Sequence, residues 1–116
     1  MKLKLLVIRT ANTQKLVDFY QLLGVSFDYH KHGNSPYHYS ATVDGTVMEI
    51  YPLTKNQTEA DGNLRLGFEL EDFDKVIKLL KESQVRFASE PAQTDFGFMA
   101  VVVDPDDRKV ELYKKP

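Results

Sequence analysis

Residues 1–53 and 64–116 follow one pattern of elements twice, with a polar stretch over 54–63 between them. In the first copy, Leu3 to Arg9 is aliphatic, contains branched Val7 and Ile8, and ends at Thr10-Ala11-Asn12 before a helix could be completed, which predicts a strand. A helix follows, with Asn12 as its N-cap, an apolar stripe at Leu16, Phe19, Tyr20 and Leu23, and Gly24 where a left-handed C-terminal stop is wanted. Val25 to Tyr29 then reads as a strand, His30 to Pro36 as a polar connection, and Tyr37 to Val43 and Thr46 to Leu53 as two strands joined by Asp44-Gly45. The second copy runs in the same order. Leu64 to Leu70 is a strand, Asp72 caps a helix with the stripe Phe73, Val76, Ile77 and Leu80, and strands follow at Val85 to Ala88, Gly97 to Val103 and Lys109 to Lys114. A shift of 60 carries Leu16-Val17 onto Val76-Ile77, and a shift of 62 carries Glu49-Ile50-Tyr51 onto Glu111-Leu112-Tyr113. Element order, helix phase and a shared Glu-apolar-Tyr ending together argue for an internal duplication.

The chain is therefore expected to be α+β, with two tandem βαβββ modules in one domain spanning 1–116: module one 1–53, linker 54–63 and module two 64–116. Its 15 basic and 17 acidic residues are interspersed, so no face is reserved for a phosphate backbone and nucleic acid is not an expected partner. No apolar run approaches the roughly 20 residues that span a bilayer, and no signal-peptide core follows Met1. A cytoplasmic location without membrane partners is expected. With no cysteine, any metal must be held by His, Asp or Glu.

The Asp44-Gly45 turn fixes a register that decides which side chains can meet. It pairs Ser40 with Glu49 and Tyr39 with Ile50, so Tyr39, Ala41, Met48 and Ile50 share a core-like face. His38, Ser40, Thr42, Glu49 and Tyr51 share the other. By the repeat, Glu111 and Tyr113 take the same side of the last strand. Were the sheet to curl with that side concave, Glu49 and Glu111 would converge. Two such carboxylates could do acid and base work, bind a divalent cation or pair with basic groups, or they could be plain exposed strand glutamates. His38 could donate to Glu49, act as a general base, join a metal site, or simply pack beside Tyr51. His30 and His32, in the polar connection, read as exposed.

The stretch Asn12 to Gly24 with Phe19-Tyr20 and Leu22-Leu23-Gly24, the strand Glu49-Ile50-Tyr51-Pro52, and Asp104-Pro105-Asp106 followed by Val110-Glu111-Leu112 resemble the vicinal oxygen chelate superfamily. That group includes lactoylglutathione lyase, the extradiol dioxygenases and the bleomycin resistance proteins. The resemblance implies a curled mixed sheet with a concave cleft. It also implies metal ligands on the first and last strand of each half, which here are Leu5, Glu49, Arg65 and Glu111. Leu5 offers no donor atom, and Arg65 brings a fixed positive charge that competes for the carboxylates.

The expectation that follows is a small-molecule-binding protein with a degenerate metal site and no cofactor. Ser40, Tyr51, Arg65 and Tyr113 are its candidate ligand contacts, and Arg65 is expected to bridge the two glutamates. The alternative is a metal-dependent lyase, isomerase or dioxygenase, with Glu49, Glu111 and His38 as candidate catalytic groups or, as a weaker set, divalent-metal ligands. A homodimer is expected because a small curled sheet leaves strand edges for a second copy to cover. In a third reading the polar face is itself the dimer surface and has no ligand.

Overall fold

The computed structural model describes all 116 residues, which divide into two compact units, Met1–Asp61 and Gly62–Pro116. The first holds β1 (Leu5–Thr10), α1 (Thr13–Leu22), β2 (Asp28–His30), β3 (His38–Val43) and β4 (Thr46–Pro52). The second holds β5 (Leu66–Leu70), α2 (Phe73–Glu82), β6 (Phe87–Thr94), β7 (Gly97–Val103) and β8 (Lys109–Lys114). Each unit is a four-stranded mixed sheet with one helix. The strand orders, β1-β4-β3-β2 and β5-β8-β7-β6, are the same order under the repeat. The fold is α+β, made of two βαβββ modules. No helix is long and apolar enough to cross a membrane.

The duplication extends to register. In the parallel pairs, Leu6 lies opposite Met48 and Leu66 opposite Val110, positions related by shifts of 60 and 62. In the antiparallel pairs, Ser40 faces Glu49 and Val101 faces Glu111. The strand β7 is thus offset from β3 by 61, so the two-residue difference between the shifts of 60 and 62 is split between two places. One extra residue falls before β7. The other falls in the β7–β8 turn, where the Asp104 carboxylate accepts from the backbone N–H groups of Asp106 and Arg108 at 2.8 and 3.0 Å. Buried Arg108 pairs in turn with Asp104 and Asp106.

Local chemistry explains each helix and its ends. Asn12 caps α1 by accepting from the backbone N–H of Lys15 at 3.1 Å. The helix stops in a Schellman arrangement: Gly24 N–H donates to the Gln21 carbonyl and Val25 N–H to that of Tyr20, with Gly24 at φ +102°. Leu16, Phe19, Tyr20 and Leu23 are all buried, as their spacing predicts, against a layer containing Ile8, Ala41, Met48 and Ile50. The α2 helix ends the same way, with Val85 N–H donating to the Leu80 carbonyl, but Gln84 occupies the left-handed position at φ +62°. Asp72 precedes α2 without making the side-chain capping bond that its position suggests.

Two strands depart from expectation. The β2 strand is only Asp28–His30, because the chain leaves the Schellman turn before it can join the sheet. The β6 strand runs on to Thr94 through Pro91, a residue that argues against a strand in sequence. Being at the sheet edge, β6 tolerates a proline, and its pairing with β7 shifts register on either side of Ser89.

Open space surrounds the Cβ that Gly24 lacks, so Gly24→Ala adds only backbone strain and is expected to cost about 1 kcal/mol. Gln84→Gly, at the equivalent position, is expected to stabilise by a similar ~0.5–1 kcal/mol. Urea titrations of the two variants should therefore move in opposite directions. Ile50→Ala, which removes a fully buried side chain, should lower stability by about 2–5 kcal/mol in the same assay.

Candidate functional site

The hairpin register places the candidate residues of module one as read from sequence. Asp44 and Gly45 both have positive φ, at +46° and +83°, the type I′ requirement, and Ser40 faces Glu49 while Tyr39 faces Ile50. Met48 and Ile50 lie in the core, and Tyr39 reaches α1 by donating its hydroxyl hydrogen to Gln14 Oε1 at 2.8 Å. On the opposite side, the His38 and Tyr51 rings stack with centroids 4.0 Å apart and planes within 9°. The Arg9 guanidinium lies 4.9 Å from the Tyr51 ring, and Arg9 also donates to the Pro52 carbonyl.

His38 is fully buried. Its Nδ1 lies 3.0 Å from the Pro36 carbonyl, an oxygen that can only accept, so Nδ1 carries a hydrogen. Its Nε2 faces Glu49 Oε2 at 3.4 Å and has no hydrogen-bond partner. Strand β2 sets His30 directly opposite His38, and the two rings are 4.7 Å apart. His32 closes the group, with its ring 4.6 Å from His30 and 5.2 Å from His38. One ligand-type atom from each of His30, His32, His38 and Glu49 can be chosen so that all four lie within 4.8 Å of one another. Sequence reasoning placed His38 with Glu49 but assigned His30 and His32 to an exposed connection. His32 is indeed exposed, whereas His30 is half-buried. The alternation His30, His32 and the return at His38 across Gly33 and Pro36 was the available signal.

Module two treats the equivalent carboxylate differently. Arg65 Nε donates to Glu111 Oε2 at 2.6 Å, the Glu111 arm of the bridge expected from sequence, and the Tyr113 hydroxyl donates to Glu111 Oε1. Met99 stands opposite Tyr113, in the place that His38 takes beside Tyr51. Gly67 lies opposite Glu111, and a Cβ added there would meet the Tyr113 ring at 3.5 Å, an ordinary contact. The Tyr113 hydrogen bond, aided by Arg65 and opposed by burial, holds the Glu111 carboxyl below its ordinary value. The same bond, with burial, raises the Tyr113 phenol. Beside this cluster an open groove of about 650 Å³ is lined by Phe96, Phe98, Tyr113, Glu69 and Gln93 among others. Phe96 is 82% exposed at its rim.

Leu5 and the Arg65–Glu111 pair do not fit the metal-ligand pattern that the resemblance implies. Leu5 is an exposed hydrocarbon, and the Glu111 carboxylate is already engaged by a guanidinium and a phenol. Any cation there would have to displace Arg65.

The family model for the glyoxalase/bleomycin resistance protein/dioxygenase superfamily matches residues 2–112, and the chain belongs to that superfamily. Solved structures share the fold over the whole chain. TnmS3, an antibiotic-binding protein from Streptomyces sp. CB03234, is 22% identical, with all of this chain and 97% of that one covered at a TM-score of 0.77. The oxidase ChaP-H2 is 16% identical, with 100% and 94% covered at a TM-score of 0.78. An integron cassette protein from the mobile metagenome of V. cholerae is 16% identical, with 100% and 96% covered at 0.77. No curated protein matches.

The lowered Glu111 value has a testable sign. A carboxyl whose folded value is depressed contributes stability that is present above its unfolded value, near 4.5, and is lost as pH falls through the folded value. Tyr113→Phe is expected to move the Glu111 titration upward, read by carboxyl carbon NMR. It should also destabilise the protein more at neutral pH than in acid, where the protonated carboxyl no longer gains from the phenol.

Proposed function

We propose that this protein binds a planar aromatic small molecule without transforming it, using the groove of module two. The observation that carries this reading is the Arg65–Glu111–Tyr113 cluster, which engages the carboxylate that a metal-using relative would keep for its ion. What remains beside it is a wall of Phe96, Phe98 and Tyr113, large flat apolar surfaces, with Glu69, Gln93, Lys114 and Lys115 among the groove's polar lining to orient a ligand. The antibiotic-binding activity of TnmS3, on the same fold, supports the same class of function. The reading includes a homodimer, in which a second copy covers strand edges.

Titration of the isotope-labelled chain with a library of aromatic fragments tests it by amide shift perturbation. Saturable shifts at Gln93, Gly97, Phe98 and Tyr113 are expected, with affinity falling up to about tenfold in Tyr113→Ala. Absence of binding across the library would refute the reading. Metal-stimulated turnover in a lactoylglutathione lyase or ring-cleaving dioxygenase assay would replace it with the enzymatic alternative.

A further inference from the structure

We infer that His30, His32, His38 and Glu49 form a binding site for a borderline divalent cation such as Zn²⁺ or Ni²⁺, within module one and off the family's ligand positions except at Glu49.

Because His38 Nδ1 donates to the Pro36 carbonyl, only Nε2 is left to meet the Glu49 carboxylate oxygen, at 3.4 Å, and in the neutral ring that nitrogen carries a lone pair. In the neutral ring these are two acceptors, one of them fully buried, and a proton or a metal cation between them relieves their repulsion. Tetrahedral zinc with bonds of about 2.0–2.1 Å separates its ligand atoms by about 3.3 Å, close to the spacing observed. A metal-bound imidazole also characteristically donates its other N–H to a backbone carbonyl, the bond His38 makes with Pro36.

The neighbouring groups complete the donor set. His30 Nε2 is buried without a partner, as His38 Nε2 is, and two orphaned imidazole nitrogens in one cluster are an unusual loss for a small domain. His32 brings a third imidazole from a turn that can adjust, since His32 and Ser35 are tied through each other's backbone N–H. Three imidazoles and one carboxylate suit zinc or nickel, and lack the oxygen ligands that magnesium or calcium requires. The lysine of this segment, Lys31, is turned to the Tyr37 ring.

Tag-free protein titrated with Zn²⁺ by calorimetry, and with Co²⁺ by its visible absorption, tests the site. One equivalent per chain is expected, with slowed amide hydrogen exchange over residues 30–38 on loading. His32→Ala removes an exposed side chain whose turn is held by backbone groups and Ser35, so this variant keeps its fold. It and Glu49→Gln should each weaken binding at least ~10-fold. The inference fails if the folded protein takes up no ion, or if neither variant weakens uptake. It fails equally if Glu111→Gln abolishes uptake, which would put the ion at the family's position. The site lies in module one and the proposed groove in module two, so either proposal can fail alone.

Discussion

The register of the Asp44-Gly45 hairpin decides what module one can do. A two-residue type I′ turn admits one pairing of its flanking strands, and side chains alternate with period two. Met48 and Ile50 are thereby committed to the layer under α1, and Glu49 and Tyr51 to the side where His38 and Ser40 stand. A slip of one residue would exchange the two sets, burying a carboxylate among Leu16, Phe19 and Tyr20. The apolar layer therefore enforces the geometry of the polar one. Parallel pairing of β1 with β4 extends the same order outward, setting Val7 opposite Glu49 and Arg9 opposite Tyr51.

Most of this was legible in sequence because it rests on local, strongly typed signals. Asn12, Gly24 and Asp44-Gly45 each require a particular backbone state, and the stripes of α1 and α2 have a period only a helix satisfies. The Arg65–Glu111 pair and the shared side of Glu111 and Tyr113 followed from the repeat. What escaped depended on context the sequence does not carry. The extension of β6 through Pro91 is permitted only because that strand lies at an edge, and edge position is a tertiary fact. Gln84 in a left-handed stop violates the local preference that Gly24 obeys, so the second helix end was readable from the first copy and not from its own residues. His30 was assigned to a connection because polar residues and a glycine surround it. Its pairing with His38 depends on three residues of edge strand too short to leave a periodic trace.

The two modules place a glutamate at the same point of the same scaffold and satisfy it by different chemistry, which limits how alike their functions can be. A carboxylate with little solvent access needs a cation or several donors. In module two the guanidinium of Arg65 and the phenol of Tyr113 both donate to the Glu111 carboxylate. In module one the position equivalent to Arg65 is Leu5, which has nothing to offer, and the position equivalent to Met99 is His38. The Glu49 carboxylate, 9% exposed, faces His38 Nε2 at 3.4 Å with His30 and His32 close by, while Arg9 on the neighbouring β1 lies over the Tyr51 ring. Neutral imidazoles around a nearly buried carboxylate gain from a cation placed among them. That asymmetry, set by which residue each copy retained at two equivalent positions, is the physical reason to assign cation binding to module one and organic-ligand binding to module two.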